Sequence, residues 1–251
     1  MLWLILPTYD EAANLERVVG AALAALERAA PGDHRLLVVD DGSPDGTGDI
    51  ADRLAAEHPG VAVLHRRERE GLGPAYLAGF AEALRGGADL VVEMDADLSH
   101  DPADIPRLVA AAADADLVLG SRYVPGGGVR DWGPIRRALS RGGSWYARRV
   151  LGLQVRDLTG GYKCFRREVL ESIDLGEARS HGYVFQVELT YRAVQAGYRV
   201  TEVPVVFRDR THGRSKMSLG IALEAVLVVP RLRFGRRGRH VGAHMRALRD
   251  A

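Results

Sequence analysis

The segment Leu90-Val91-Val92, followed within a few residues by Asp95-Ala96-Asp97-Leu98-Ser99-His100, decides how this chain reads. It is a short, branched, apolar run of the kind that forms a buried strand, and it delivers two acids to its far end. The same sequence of apolar run and polar turn occurs at Leu2–Leu6 before Pro7-Thr8-Tyr9-Asp10-Glu11, and at Leu36–Val39 before Asp40-Asp41-Gly42-Ser43. Val61–Leu64 and Leu117–Leu119 are two further runs of this type. Between them lie Ala/Leu/Glu/Arg-rich segments with helical spacing at Glu11–Ala30, Asp45–His58, Gly73–Arg85 and Asp101–Ala112. Strand–helix alternation at this spacing predicts an α/β fold with a mostly parallel central sheet and helices on both faces. Ligands of such sheets sit beyond the carboxyl ends of the strands, so three acidic strand ends are expected on one rim.

After Gly120 the pattern changes. Val124–Asp131, rich in Gly and charge, reads as a loop, and Pro134–Leu151 as a basic amphipathic helix with Pro134 in its first turn. Asp157–Phe165 reads as a short strand or turn, Val184–Ala196 as a helix, and Tyr198–Phe207 as a hairpin-like or edge-strand pair. Leu219–Val229 is an apolar helix interrupted only by Glu224, which Pro230 is expected to end or kink. The sequence shows no internal repeat and no linker that would separate two folding units.

The whole chain of 251 residues, 47% apolar and 27% charged, has the composition of an ordinary soluble globular domain that needs no metal or disulfide staple for its core. Its one cysteine, Cys164, excludes an intramolecular disulfide and any cysteine-cluster zinc site. Leu2–Leu6 lacks a basic leader and is too short for a signal peptide, and no apolar run near either end reaches the roughly 20 residues a bilayer span requires. The net charge of +1 hides an asymmetry: residues 231–251 hold seven Arg against one Asp, or +6, which leaves −5 for residues 1–230. A mildly acidic body with a basic tail suggests a surface-directed end. Nucleic acid is disfavoured as the partner, because basic segments interleaved with aromatics and a reader fold are both missing.

Asp95 and Asp97 are the central chemical feature. Residues two apart in a strand face the same side, so two carboxylates are expected to project together. Such a pair repels unless an oxygen-preferring divalent cation joins it, and a hard cation held by one or two carboxylates keeps open positions for phosphate oxygens. A nucleoside diphosphate fits that description; helix capping, with Asp101 and Pro102 nearby, is the simpler alternative. Ser43 or Asp45 can cap the helix that follows them, Asp41 can also accept hydrogen bonds from a nucleobase edge, and Glu11 favours the N-terminal dipole of its helix. The eight histidines form no metal motif, and His100 and His212 read as loop or capping residues.

Five elements in order, Pro7-Thr8-Tyr9-x-Glu11, Val39-x-Asp41-Gly42-Ser43, Gly71-Leu72-Gly73, Asp95-Ala96-Asp97-Leu98-Ser99-His100 and Gly120-Ser121-Arg122, resemble the inverting family 2 glycosyltransferases of GT-A fold. The second half adds Arg136-x-x-x-Ser140-Arg141-Gly142, Asp157-x-Thr159-Gly160-Gly161-Tyr162, Phe185-Gln186-x-Glu188 and Phe207-x-x-Arg210-x-x-Gly213-x-Ser215-Lys216. Over roughly residues 1–220 the chain is thereby similar to the dolichol/polyprenol-phosphate mannose synthases. It departs from them at Asp10, where Asn is frequent, and at Pro74, where Thr is frequent.

The resemblance implies a GT-A, Rossmann-like catalytic domain over residues 1–218, with a nucleotide and metal half at 1–120 and an acceptor half at 121–218. Residues 219–251 would form an apolar helix and basic tail at a membrane surface. It implies that Pro7, Tyr9, Glu11, Val39 and Asp41 receive the guanosine half of GDP-mannose. Asp95 and Asp97 would hold Mg²⁺ or Mn²⁺ against the diphosphate, with Ala96 in close backbone contact, and Arg210 and Lys216 would approach the nucleotide phosphates. Arg122, Arg136 and Ser140 would bind the phosphate of a polyprenyl monophosphate, and Asp97, Arg122, Arg210 and Lys216 would be the groups closest to the chemistry. Only two of the 34 basic residues are lysines, Lys163 and Lys216, and the compact ammonium suits the Gly-Arg-Ser-Lys position.

An acceptor phosphate already carries negative oxygen, so it needs positioning and charge neutralisation rather than a general base. The expected reaction is in-line attack with inversion, and Glu188 is the spare carboxylate if a base exists. The expected location is the cytoplasmic face of the membrane, reached peripherally through Leu219–Val229 with Arg231, Arg233, Arg236, Arg237 and Arg239, or through a separate membrane-anchoring subunit. Two alternatives stand beside this reading: transfer from UDP-glucose or another nucleotide hexose to the same acceptor, and a nucleotide-sugar-binding module without turnover.

Overall fold

The computed structural model describes residues 1–173, 182–209 and 219–234, with the backbone alone for 219–226. Seven strands form the main sheet: β1 (Leu2–Thr8), β2 (His34–Asp40), β3 (Val61–His65), β4 (Leu90–Glu93), β5 (Leu117–Ser121), β7 (Lys163–Arg166) and β8 (Val200–Pro204). Their order is β3-β2-β1-β4-β7-β5-β8, parallel throughout except for β7, which runs antiparallel to both β4 and β5. The strand order reverses between β1 and β4, which makes their carboxyl ends the expected ligand crevice.

Period-2 alternation sorts the strand side chains between two cores. Trp3 and Ile5 of β1 enter one apolar cluster with Ala75, Phe80, Ala147 and Phe185, whereas Leu2, Leu4 and Leu6 enter the other with Leu15, Val18, Leu54 and Leu108. Helices therefore cover both faces: α3 (Leu72–Arg85), α5 (Pro134–Leu151) and α7 (Gly182–Gln195) on one, α1 (Leu15–Ala29), α2 (Thr47–Glu57) and α4 (Ile105–Ala111) on the other. In α1 the buried residues Leu15, Val18, Val19, Ala22, Ala25 and Leu26 recur at helical spacing and form its core stripe. A short helix, α6 (Arg167–Ser172), follows β7, and α8 (Leu219–Phe234) lies against α5 and α7 with Val229 in the core. Among the described residues no helix is long and apolar enough to cross a membrane.

Several boundaries differ from the expected ones, each for a local reason. The first helix begins at Leu15 rather than Glu11, because residues 10–12 are drawn into a turn: Asp10 sits at φ +59, and the N–H groups of Asp10, Glu11 and Ala12 donate to Ser43 Oγ, Thr47 Oγ1 and Asp45 Oδ2. Asp and Asn tolerate that left-handed conformation better than most side chains, which accounts for either residue at position 10. The Asp101–Ala112 segment divides into a single 3₁₀ turn (Pro102–Asp104) and α4, with Asp101 accepting the Ala103 N–H at 3.0 Å.

Tyr198–Phe207 is an edge strand and a separate short strand, not a hairpin. β8 pairs in parallel with β5, and the chain then leaves the sheet at Pro204, which has no N–H for the ladder. β9 (Val206–Phe207) pairs instead with β6 (Gly128–Val129), inside the segment expected to be loop. Pro230 does not end the last helix, which continues to Phe234; the first residues after a proline are free to stay helical.

Candidate active site

The carboxyl ends of β1, β2 and β4 open into one cavity of about 250 Å³. Pro7, Thr8, Tyr9 and Glu11 reach it from the β1 end, Asp41 from the β2 end, and Asp95, Ala96 and Asp97 from the β4 end. Opposite them lie Arg69, Gly71, Leu72 and Ala75 around the start of α3, Thr159 and Gly161, and Gly182, Tyr183 and Gln186 of α7. The structure thus brings together Pro7, Tyr9, Glu11, Asp41, Asp95, Ala96 and Asp97. Val39 is apart from them: its side chain is fully buried in the core beneath the rim. Arg210 and Lys216 lie outside the described residues, as do His212, Arg236, Arg237 and Arg239.

The rim is cross-braced by its own polar groups. Thr8 Oγ1 donates to Asp40 Oδ1 at 3.1 Å, and Ser43 donates to Asp40 through both its N–H (3.1 Å) and its hydroxyl (2.6 Å), so the β1 and β2 ends are tied together. Burial tends to raise the Asp45 carboxyl, but hydrogen bonds from the Thr47 hydroxyl, the Ala12 N–H and the Thr47 N–H hold it below its usual range. Asp45 thus ties the start of α2 to the β1–α1 turn. Asp41 accepts from Arg66 Nη1 at 2.5 Å and from the Gly71 N–H at 3.3 Å, fixing the loop before α3. The Arg69 guanidinium lies 4.0 Å above the Tyr9 ring.

The expected strand alternation does not itself orient the acid pair, because β4 ends at Glu93 and Asp95 and Asp97 lie in the turn beyond. That turn is strained, with Leu98 at φ +61, a conformation an aliphatic side chain rarely adopts. Asp97 is 2% exposed and accepts the Ser99 N–H at 3.0 Å as well as the Ser99 hydroxyl. Asp95 accepts the Tyr76 hydroxyl at 3.2 Å, and its own N–H donates to His100 Nδ1 at 3.2 Å. A main-chain N–H can only donate, so Nδ1 is unprotonated. His100 is buried between Tyr162 and Phe207, and burial lowers its pKa despite the nearby acids. It braces the turn and presents no ligand nitrogen to the acids through Nδ1.

The oxygen donor set suits a hard divalent cation. Asp95 and Asp97 enter the cavity together from the β4 end, with Glu11 and Asp41 on its other rims, and no group of three or more His, Cys, Asp or Glu side chains is placed to hold a metal among the described residues. A hard cation on Asp95 and Asp97 would therefore keep most of its positions for water and phosphate oxygen.

A family model described as Glycosyl transferase family 2 matches residues 3–174. The chain belongs to that family. Among curated relatives of this glycosyltransferase, an undecaprenyl-phosphate mannosyltransferase of Micrococcus luteus is 50% identical over 227 residues, 90% of this chain and 91% of its own. A polyprenol monophosphomannose synthase of Mycolicibacterium smegmatis is 51% identical over 237 residues, 94% and 87% of the two chains. The solved structure of glucosyl-3-phosphoglycerate synthase from Mycobacterium tuberculosis with Mn²⁺, UDP and glucosyl-3-phosphoglycerate shares the fold, with a TM-score of 0.66, 23% identity, and coverage of 94% of this chain and 80% of that one.

Beyond the cavity the family 2 transferase carries a second, basic group. Arg122, 6% exposed, is clamped by fully buried Asp157: Nε and the main-chain N–H donate to Oδ2 at 2.7 and 2.9 Å, and Nη2 to Oδ1 at 2.6 Å. Nη2 also meets Thr159 Oγ1 at 2.9 Å, and Thr159 lines the first cavity. Burial would raise the Asp157 carboxyl, but the Arg122 charge and hydrogen bonds hold it below the usual range. Arg136 pairs with Asp209 at 2.6 Å and lies 4.2 Å from the Trp132 ring, which Arg122 approaches at 5.5 Å. Tyr123 donates its hydroxyl to Ser140 at 2.6 Å. Arg122, Arg136 and Ser140 are thus gathered around Trp132 and Tyr123, outside the lining of the first cavity. Glu188, 3% exposed, accepts from Arg192 Nε and Nη2 at 3.0 and 2.7 Å.

Three features went unread in the sequence. Glu93 and Lys163 face each other across β4 and β7, both fully buried and 3.0 Å apart, with Lys163 also donating to Gln186 Oε1. Burial raises Glu93 to about 7 even beside the Lys163 charge. The available signals were an acid two residues before Asp95, and a lysine in a chain that otherwise uses arginine. The partnership of Asp157 with Arg122 is the third; it joins positions 35 residues apart, which no local spacing reveals. Cys164 is buried, and burial pushes its thiol up to about 12, which makes it inert.

Proposed function

We propose that this enzyme transfers mannose from GDP-mannose to a polyprenyl monophosphate with inversion, releasing GDP and polyprenyl-phosphate mannose. The observation that carries the reading is the pair of curated relatives, each about half identical over at least nine-tenths of this chain and each named for polyprenyl- or polyprenol-linked mannose chemistry. The acidic cavity and the basic group beside it support it, since the reaction brings together two anions that need opposite kinds of partner.

In this mechanism Pro7, Tyr9, Glu11 and Asp41 receive the nucleoside, with Val39 shaping the floor from the core below. Asp95 and Asp97 would hold Mg²⁺ or Mn²⁺, which when bound supplies charge neutralisation to the departing diphosphate. Ala96 allows close main-chain approach, and Arg210 and Lys216 add positive charge at the phosphates. Arg122 meets the acceptor phosphate through Nη1, its other nitrogens being held by Asp157 and Thr159. Arg136 and Ser140 complete that contact. The acceptor oxygen is already anionic, so the protein's task is alignment to within about 3–3.5 Å of the anomeric carbon and no proton need be removed. The substrate's lipid tail puts the enzyme at a membrane surface, held peripherally or through a separate anchoring subunit.

A donor screen tests the proposal: GDP-mannose, UDP-glucose and other nucleotide hexoses with polyprenyl phosphate and Mg²⁺ or Mn²⁺, followed by anomeric analysis of the lipid product. GDP-mannose is expected to give a β-linked product; activity with another donor alone, or a retained α configuration, overturns the assignment.

A further inference from the structure

A second cavity, of about 430 Å³, opens beside α5 and is lined by Tyr123, Arg141, Trp145, Arg148 and Arg156. Arg141, Trp145 and Arg148 stand at i, i+4 and i+7, hence on one helical face. Among the described residues none of the three cavity arginines has an acidic side-chain partner within ion-pair distance. Glu202, which meets the main chain of Arg156, spends its two oxygens on the N–H groups of Arg156 and Asp157. The Nε of Arg148 is buried without a hydrogen-bond acceptor. A desolvated cationic group without a counter-charge is costly, and an anion in the cavity would stabilise the Arg148 guanidinium electrostatically.

The rim is apolar as well as basic. Trp145 is 64% exposed, and farther along α5 Ile135 and Leu139 are 76% and 47% exposed. The α5 sequence holds five arginines and no acid. On the neighbouring α8, Leu227, Arg231 and Phe234 are exposed at i, i+4 and i+7. Guanidinium forks suit phosphoryl oxygens bidentately, and an exposed tryptophan beside aliphatic side chains suits the depth of lipid headgroups.

We propose that this cavity binds the phosphodiester headgroup of an anionic membrane phospholipid, at a site apart from the nucleotide cavity and adjoining the group around Arg122 through the shared Tyr123. The inference rests on the reading above that the acceptor is a bilayer lipid. Arg148 and Arg156 hold the phosphoryl oxygens, Trp145 rests among the headgroups, and Tyr123, bonded to Ser140, links the bound headgroup to the acceptor-phosphate group. A bilayer held there sets the height at which the acceptor's own phosphate arrives.

The test uses the full chain and vesicles free of polyprenyl phosphate, comparing phosphatidylglycerol-containing with pure phosphatidylcholine membranes near 0.15 M salt, where the Debye length is about 8 Å. The double variant Arg148→Gln/Arg156→Gln is compared with Arg137→Gln/Arg149→Gln, which removes the same charge from exposed positions. Diffuse attraction weakens both alike, by roughly fivefold per arginine. A built site makes the cavity pair weaker than the control pair by a further factor of about ten, as for lost charge-assisted hydrogen bonds. Equal weakening overturns the proposal.

Fluorescence of the unmutated protein gives a second reading. Trp3 and Trp132 are buried, so quenching by brominated lipid reports Trp145; it is expected in phosphatidylglycerol vesicles and lost in Trp145→Phe. Absence of quenching overturns the proposal. So does saturation of the Trp145 signal by glycerol 3-phosphate or inorganic phosphate with no tighter binding to vesicles, which would make the ligand a soluble phosphate. A failed donor screen leaves the vesicle result standing, and equal binding by the two double variants leaves the transfer reading standing.

Discussion

Replacing Asp157 by alanine removes a buried carboxylate and leaves the Arg122 guanidinium, 6% exposed, without its counter-charge. Three hydrogen bonds of 2.6–2.9 Å disappear together. Breaking one side of a buried pair costs about 3–5 kcal/mol. For a chain of this size each kcal/mol moves the melting temperature by roughly 2–4 °C, so a fall of about 6–20 °C is expected. The assay is thermal unfolding followed by circular dichroism, repeated over a pH series. The folded Asp157 carboxyl lies below its usual value of 3.8, so its stabilisation is fully present above that value and is lost as pH falls through the lower folded value. The gap between parent and variant should therefore be constant from pH 7 to about 4 and narrow only below that. The apolar exchange Arg122→Met/Asp157→Leu should recover most of the lost stability, since well-packed replacements of buried pairs are commonly neutral, while transfer activity stays lost. A melting temperature for Asp157→Ala within about 2 °C of the parent would refute the reasoning, because Arg122 would then have to be solvated or rebound elsewhere.

Three further outcomes follow from the geometry. Asp97→Asn keeps the side-chain size but removes charge from a nearly buried position, and is expected to lower metal-dependent transfer by about a hundredfold or more, with loss of Mn²⁺-dependent nucleotide binding by spin relaxation; unchanged Mn²⁺ binding would count against its role as ligand. Gly79→Ala would drive a Cβ into Ile5 Cγ2 in the core behind β1, so a destabilisation of about 1–3 kcal/mol is expected in urea titrations, and a neutral result would mean α3 can shift freely. Glu188→Gln should change turnover by less than about tenfold, since an anionic acceptor needs no deprotonation; a loss of several orders of magnitude at unchanged substrate binding would establish it as a base.

The strand–helix alternation was legible because both periods are written in side chains that the fold buries. Leu2–Leu6 and Leu36–Val39 are fully apolar runs because both of their faces are covered, and the structure buries them on both faces. The antiparallel β7 was not legible in the same way. Lys163-Cys164-Phe165-Arg166 is four residues long and begins with a lysine that only its cross-strand partner Glu93 makes compatible with burial, although Cys164 and Phe165 fill the two opposite cores. The helix start at Glu11 was misplaced for a related reason: the turn at Asp10–Ala12 is held by Ser43, Asp45 and Thr47, more than thirty residues away. Local propensity reports what a segment prefers alone, and here three distant acceptors override it.

The site divides along the same line. Asp95 and Asp97 could be read as a pair from their spacing, yet strand alternation was the wrong reason, since they lie past the end of β4 in a turn with Leu98 in a left-handed conformation. The chain holds that strained residue in place through partners of the turn itself: Ser99 on Asp97, and His100 on the Asp95 main chain. What the spacing could not carry is the separation of charge that the proposed chemistry requires. Two phosphate-bearing substrates repel as they approach, so one must be met by acids that gather a cation and the other by arginines, without the two sets of side chains neutralising each other. Asp157 and Thr159 hold Arg122 between the two regions, committing two of its nitrogens, and Glu188 is committed to Arg192. A guanidinium already paired keeps its position but gives up part of its charge to its partner. In the proposed reaction the acceptor phosphate would be held by Arg136 and the remaining edge of Arg122, and it would have to displace Asp209, which pairs with Arg136 at 2.6 Å.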